Sequence, residues 1–450
     1  MRMQKIKFLG AAGTVTGSSY VLTTDNNRAV MVDLGMFQGR REINDLNYRP
    51  LNINVDQIEA VILTHAHLDH CGRLPLLMKK GFRGKIYMTP ATEALTKIVL
   101  ADSAKIAEGN TEHEPLYTSL DVEKILSHMF SVEYDEEFIA GPFFVTFRNA
   151  GHILGSASAE IRDMNHETTI AFSGDLGNTP EDLVAPTEYI KSAHYVVMES
   201  TYGNRVHPNE NPRETIQKEI NTVEGSGGTL LIPSFSIERT QAILHIIDHL
   251  KKENKVKAST PVYLDSPMGL HATEVYKQFK NLYGAELYQH ASTDDPFDFP
   301  GLHIVDNAKK SRKLKTQAGA KVIIAGSGMM SGGRILNHAI DFLPIETTRL
   351  LIVGFQAEDT IGREIMEGSN NVEIYGQTVA VKAHVTDLHS MSAHADKPRL
   401  MKWLENIEGA KKVFLTHGED EARLPLSKDI NEKLGITDIV LPNLEDEVEL

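Results

Sequence analysis

The residues His65-Ala66-His67-Leu68-Asp69-His70 set three imidazoles and a carboxylate directly after the apolar run Ala60-Val61-Ile62-Leu63-Thr64. A β-branched apolar run ending in such a burst predicts a buried strand that delivers metal ligands into the loop at its C-terminal end. Three histidines and one aspartate are more than one tetrahedral zinc needs. His65 and His67 stand two apart, so an extended backbone points both imidazoles the same way, whereas Asp69 and His70 lie further round the turn and can face a second ion. The spacing therefore points to two adjacent metals.

A dinuclear site needs ligands from other strands, and the chain repeats the same pattern. Phe143 to Ala150 reads as a strand running into Gly151-His152, Thr168 to Phe172 runs into Ser173-Gly174-Asp175, and Lys412 to Thr416 runs into His417-Gly418. In each case an apolar strand is followed by a ligand, with glycine where backbone must pass close to the ions.

The HxHxDH loop, His152, Asp175 and, upstream, Asp33 closing the strand Ala29-Val30-Met31-Val32 resemble the metallo-β-lactamase superfamily. Three later segments narrow the resemblance. Glu199-Ser200-Thr201-Tyr202-Gly203, His394 in Ser392-Ala393-His394-Ala395-Asp396, and His417 in Thr416-His417-Gly418-Glu419 are similar to the signature motifs of the β-CASP nucleases, which include the pre-mRNA 3′-end cleavage endonuclease and its short prokaryotic relatives. The likeness covers essentially the whole chain, with the motifs in the family's order.

This resemblance implies an α/β protein: a metallo-β-lactamase αββα sandwich with an inserted β-CASP domain built on a mainly parallel sheet. It implies two zinc ions per chain, one held by His65, His67 and His152, the other by Asp69, His70 and His417, with Asp175 bridging. It implies a ribonuclease that hydrolyses RNA phosphodiester bonds with a metal-bridged hydroxide, with His394, polarised by Glu199, as general acid and Asp33 orienting a ligand from behind. Endonucleolytic cleavage is expected. The alternatives are a 5′ exonuclease, or a metal-dependent hydrolase of a small-molecule ester or thiolester in which His394 and Glu199 would have no evident task. A non-catalytic RNA-binding subunit is disfavoured because every ligand is present.

Between Asp175 and His417 the chain carries its own alternation of strands and helices, far longer than an ordinary connection. Strands are expected at 228–233, 262–264, 321–325 and 350–353, with helices at 238–252 and from Met268. Strands separated by helices imply a parallel sheet. The expected division is 1–207 and 376–450 for the two parts of the first domain and 208–375 for the insertion, the chain re-entering the first domain near Val379.

Composition limits what else the chain can be. With 450 residues, 41% of them hydrophobic, two sizeable cores can be buried. No run approaches the roughly eighteen apolar residues of a membrane span, and Ile6 to Leu9 reads as a first strand rather than a signal segment. The single cysteine, Cys71, excludes an internal disulfide and reads as a buried filler, in keeping with a cytoplasmic location. A formal net charge of −15 argues against binding nucleic acid over the whole surface. The expected partner is nevertheless single-stranded RNA, with no membrane; a homodimer is left open.

Six residues at strand ends or glycine-rich turns of the second half are candidates for lining a substrate: Ser234, Arg239, Ser327, Arg334, Arg363 and Ser390. The basic group Lys309, Lys310, Arg312, Lys313 and Lys315 reads as a solvated helix face. His245 and His249 mimic an i, i+4 metal pair but read as part of an ordinary amphipathic helix. His113, His128, His166, His194 and His207 have no ligand pattern around them. Asp359 stands where relatives commonly have glycine and adds negative charge.

Overall fold

The computed structural model describes residues 4–109, 114–165, 168–178 and 183–450, so His113 and His166 lie outside the described residues. The chain forms two compact units: Met1–Val206 with His394–Leu450, and His207–Ala393.

The first unit holds two seven-stranded sheets. One runs Glu447–Glu449, Lys5–Gly10, Ser19–Thr23, Ala29–Leu34, Ile58–Ile62, Lys85–Met88, Met129–Ser131; the other runs Asp438–Val440, Lys412–Thr416, Tyr195–Glu199, Thr169–Phe172, Ala157–Asp163, Phe143–Asn149, Glu137–Ala140. Their inner faces meet in one core, in which Phe8, Val32 and Ile62 pack with Val145, Phe147, Phe172 and Phe414. The rings of Phe8 and Phe414 are 5.3 Å apart. On the outer face of the second sheet, Val196, Met198, Val413 and Leu415 pack against Leu400, Trp403 and Leu404 of helix Lys397–Glu405 and Leu426 and Ile430 of helix Asp420–Leu434. The helices Leu68–Cys71 and Pro90–Gly109 contact strands of the first sheet, which completes an αββα arrangement.

Local sequence explains the two kinds of strand. Ala29–Leu34 is buried at all six positions, as expected of a strand covered on both faces and paired in parallel with Ile58–Ile62. Phe143–Asn149 pairs antiparallel and alternates buried with half-buried residues, the period of a strand with one face inward. In the second sheet Thr169–Phe172, Tyr195–Glu199 and Lys412–Thr416 run parallel side by side, so their C-terminal ends lie at one edge. Residues distant in sequence are thereby delivered to one place.

The second unit is built on a six-stranded sheet, Leu302–Ile304, Val262–Asp265, Lys321–Ala325, Thr229–Pro233, Arg349–Ile352, His384–Asp387, in which every pairing is parallel. Ile323, Leu350 and Ile352 pack against Ile335, Leu336, Ala339 and Phe342 of helix Arg334–Phe342. The expected return to the first domain at 376 needs correction. Gln377–Ala380 forms a hairpin with Asn371–Ile374, and His384–Asp387 is an edge strand bonded in parallel to Arg349–Ile352, so the second unit continues to Ala393. The alternating run near Val379 has the pattern of a half-buried strand, and that pattern is silent about which sheet the strand joins. Asp359 adopts φ +59°, a left-handed conformation that glycine reaches at less cost and aspartate tolerates.

Candidate metal centre

The loop after Ile58–Ile62 carries His65 and His67, and the short helix Leu68–Cys71 that follows supplies Asp69 and His70. His152 arrives from the strand Phe143–Asn149 through Gly151, which has φ +68° and where a Cβ would collide with Thr187. Asp175 follows Thr169–Phe172, and His417, at φ +49°, follows Lys412–Thr416. A non-glycine residue held there costs of order 1–3 kcal/mol, and the hydrogen bond from the His417 N–H to Ala11 O at 2.7 Å helps to fix it.

These residues converge as two sets of donors. One ligand atom from each of His65, His67, His152 and Asp175 lies within 4.8 Å of the others, and the same holds for Asp69, His70 and His417. Asp175 spans the two groups: Oδ2 is 3.4 Å from His65 Nε2 and 3.6 Å from His152 Nε2, while Oδ1 is 3.3 Å from His70 Nε2 and 3.6 Å from His417 Nε2. His67 Nδ1 faces both His65 Nε2 and His152 Nε2 at 3.1 Å. Burial holds His65 down to about 3 and His67 to about 4, and it lowers His152 too, so near neutral pH three uncharged imidazoles are crowded together. Asp175 Oδ1 and His417 Nε2 are buried without a hydrogen-bond partner among the described residues. Crowded lone pairs and orphaned buried atoms fit a pair of cations, and the N and O donors suit zinc.

Burial alone would raise the Asp175 carboxyl, but His417, His70, His65 and His394 outweigh it and hold the group well below the carboxylate range. Asp33, at φ +55°, accepts hydrogen bonds from the Thr64 N–H and Thr64 Oγ1 at 2.8 Å each, and its Oδ2 is 2.7 Å from His70 Nδ1. It thus fixes the ring whose other nitrogen faces Asp175. Thr201 Oγ1 is 3.0 Å from His417 Nδ1 and does the same for that ring.

His394 stands beside these donors, one of its ring nitrogens within 4.8 Å of donor atoms of Asp175 and His417. Its Nδ1 is 3.3 Å from Glu199 Oε2 and 3.9 Å from Asp175 Oδ2, and its ring lies 4.6 Å from that of His152. Burial would lower this imidazole, but Glu199 and Asp175 more than reverse it and lift it to about 9. Glu199 is itself pinned by the Leu176 N–H, which donates to Oε1 at 2.6 Å. Cys71 is fully buried, with burial and the nearby Asp69 and Asp33 carboxylates pushing its thiol well up.

All ten residues expected at the centre are therefore brought together in the first unit. The six substrate-lining candidates all belong to the second, several of them engaged there. Ser234 Oγ donates to Phe235 O and stands 3.1 Å from Thr240 Oγ1; Ser327 Oγ donates to Gly332 O; Arg363 Nε donates to Glu367. Arg334 is committed to the buried Asp265, at 2.5 Å, which also meets His338 Nε2 at 2.7 Å and Ser311 Oγ at 2.5 Å. Arg239 is buried at the start of helix Arg239–Lys252, and Ser390 Oγ is buried without a hydrogen-bond partner among the described residues. The basic group lies exposed on and just after helix Ala308–Lys313. Sequence reasoning missed the orienting roles of Thr64 and Thr201 and the Asp265 network; the two threonines sit inside the donor motifs, and Asp265 ends the strand expected at 262–264 as the metal donors follow theirs.

Comparison with known proteins agrees with this geometry. Residues 12–216 match the metallo-beta-lactamase superfamily, 240–365 the Beta-Casp domain, and 378–442 the Zn-dependent metallo-hydrolase RNA specificity domain. The chain is 37% identical over 423 residues to Ribonuclease TTHA0252 of Thermus thermophilus, covering 93% of this chain and 94% of that protein. It is 30% identical over 459 residues to Transcription termination factor FttA of Methanosarcina mazei, covering 98% of this chain and 71% of that one. A crystal structure of a protein of unknown function from Enterococcus faecalis V583 superposes with a TM-score of 0.54 at 12% identity, covering both chains fully, a likeness of fold alone.

Proposed function

From the premise that this chain belongs to the β-CASP family of the metallo-β-lactamase superfamily, we propose that it is a zinc-dependent ribonuclease that cleaves single-stranded RNA within the chain. The observation that carries this reading is His394, an eighth candidate donor: one of its nitrogens lies within 4.8 Å of donor atoms of Asp175 and His417, while its Nδ1 faces Glu199 Oε2 at 3.3 Å. A thiolester hydrolase has less use for that pairing, because a thiolate is a weaker base than an alkoxide and departs with less help from a proton donor.

His65, His67 and His152 would hold one zinc, Asp69, His70 and His417 the other, with Asp175 shared. Two bound zinc ions would supply a nucleophile near neutral pH and take up charge developing on the phosphate oxygens. The protein's own task is then positioning and proton transfer. Asp33 and Thr201 keep His70 and His417 turned toward Asp175, so that the donors need not reorganise during the reaction. When the P–O bond breaks, the departing O3′ needs a proton. His394 carries one, because Glu199 favours the imidazolium, and donates it from the ring as a general acid.

The decisive experiment is incubation of zinc-loaded protein with end-labelled single-stranded RNA and with the matching DNA, followed by mapping of product ends. Internal RNA fragments that vanish in Asp175→Ala support the proposal. Release of mononucleotides from the 5′ end would replace it with an exonuclease, and intact RNA alongside rapid thiolester hydrolysis would overturn it.

A further inference from the structure

A second group of histidines lies in the second unit, outside the centre described above. Helix Arg239–Lys252 turns His245 and His249 to one face, an i, i+4 pair. Helix Ala285–Ala291 offers Glu286 and His290 at the same spacing. The fold brings the two pairs together: the ring of His245 is 4.6 Å from that of His249 and 5.1 Å from that of His290, and the last two are 4.8 Å apart. One ring nitrogen from each histidine lies within 4.8 Å of the others. Glu286 reaches the same spot, with Oε2 2.7 Å from His245 Nε2 and Oε1 2.9 Å from His249 Nε2.

The hydrogen bonding of this cluster is incomplete. His245 is 5% exposed, and its Nδ1, the Nδ1 of His290 and the Oδ1 of the buried Asp248 have no hydrogen-bond partner among the described residues. His290 Nε2 is engaged by both Lys252 Nζ at 2.8 Å and Asp248 Oδ2 at 3.1 Å, which fixes the ring and leaves Nδ1 as the nitrogen for an ion. Lys252 Nζ closes the outer side, 2.8 Å from Asp248 Oδ2 and 2.9 Å from Asp294 Oδ2, and Arg213 is occupied by Glu253.

We infer that His245, His249, His290 and Glu286 form a third metal site, one that takes a divalent cation of the zinc class and clamps helix Ala285–Ala291 to helix Arg239–Lys252. Three imidazoles and one carboxylate are a zinc donor set. Zn–N bonds of about 2 Å put the nitrogens of a tetrahedral site roughly 3.3 Å apart, within reach of these side chains by small rotamer adjustments. The inference does not depend on the nuclease reading.

The test uses the full chain with the first-unit centre already filled with zinc. Titration with Co2+ should give one further bound equivalent with the intense visible absorption of tetrahedral cobalt. His249→Ala should weaken that uptake by about a hundredfold or more, since it removes a direct ligand where even loss of an orienting residue costs about 10–100-fold. Glu286→Gln should weaken it less. Added Zn2+ should raise the thermal midpoint of the parent and not of His249→Ala. A parent that binds no further cobalt, or uptake unchanged in both variants, overturns the site.

Discussion

Two histidine-rich clusters stand in this chain, and they are built in opposite ways. The centre of the first unit is fed by loops at the ends of strands, is buried, and shares one carboxylate between two donor groups. The cluster of the second unit is fed by helix faces, is half open, with Glu286 largely exposed, and has a lysine at its rim. Strand ends side by side in a sheet bring donors from distant parts of the chain to one place, whereas two helix faces bring together only residues a turn apart on each helix. The same residue types therefore serve chemistry in one setting and, by our inference, cohesion in the other.

The largest contrast is expected from Asp175→Ala. The first unit should lose both zinc ions and RNA cleavage should fall to the background of buffer, while the cobalt uptake assigned to the second unit persists. His417→Ala should loosen mainly one of the two ions, as read by metal analysis. Equal loss of both ions in the two variants would contradict the shared role of Asp175.

Next in size is His394→Ala, which should keep both metals and the fold yet lose on the order of 10²–10⁴ in RNA turnover, the usual worth of a general acid. Hydrolysis of bis(p-nitrophenyl) phosphate, whose leaving group hardly needs a proton, should fall much less. Zinc loss like that of His417→Ala would make His394 a ligand instead. Glu199→Gln should reproduce the defect more weakly and lower the pH above which cleavage declines: the carboxylate raises the imidazole, so its removal moves deprotonation to lower pH. An unchanged alkaline limb would sever the link between the two residues.

The smallest effect on chemistry belongs to His249→Ala. RNA cleavage per active site should stay within about twofold of the parent at moderate temperature, with a lower thermal midpoint in the presence of zinc. A large fall in turnover with both first-unit ions retained would mean that the second cluster acts on catalysis rather than on cohesion.

Much of the first centre was legible because its chemistry is locally dense. His65, His67, Asp69 and His70 fall in one loop after an apolar strand, and the ligands His152, Asp175 and His417 each follow another strand close to a glycine, a pattern that propensity and burial suffice to explain. His290 was not legible. It lies on a different helix from His245 and His249, with Glu286 41 positions from His245, and an i, i+4 pair on an amphipathic helix reads as an ordinary helix face until its partner is known. The boundary near 376 failed for a related reason: Gln377–Ala380 and His384–Asp387 look like strands in sequence, and only their pairing, the first with Asn371–Ile374 and the second with Arg349–Ile352, decides where they belong.

The amino-acid sequence by itself determined the strands, their burial and the donor types, because side-chain period and apolarity act within a few residues of each position. Tertiary structure alone decided which donors meet. Parallel pairing of Thr169–Phe172, Tyr195–Glu199 and Lys412–Thr416 carries Asp175, Glu199 and His417 to one sheet edge. It also decided that Asp33 turns to His70, that Arg334 is spent on Asp265, and that three histidines on two helices close on one point. Such contacts join residues far apart in the chain, and their geometry follows from how sheets and helices pack rather than from any local run of residues.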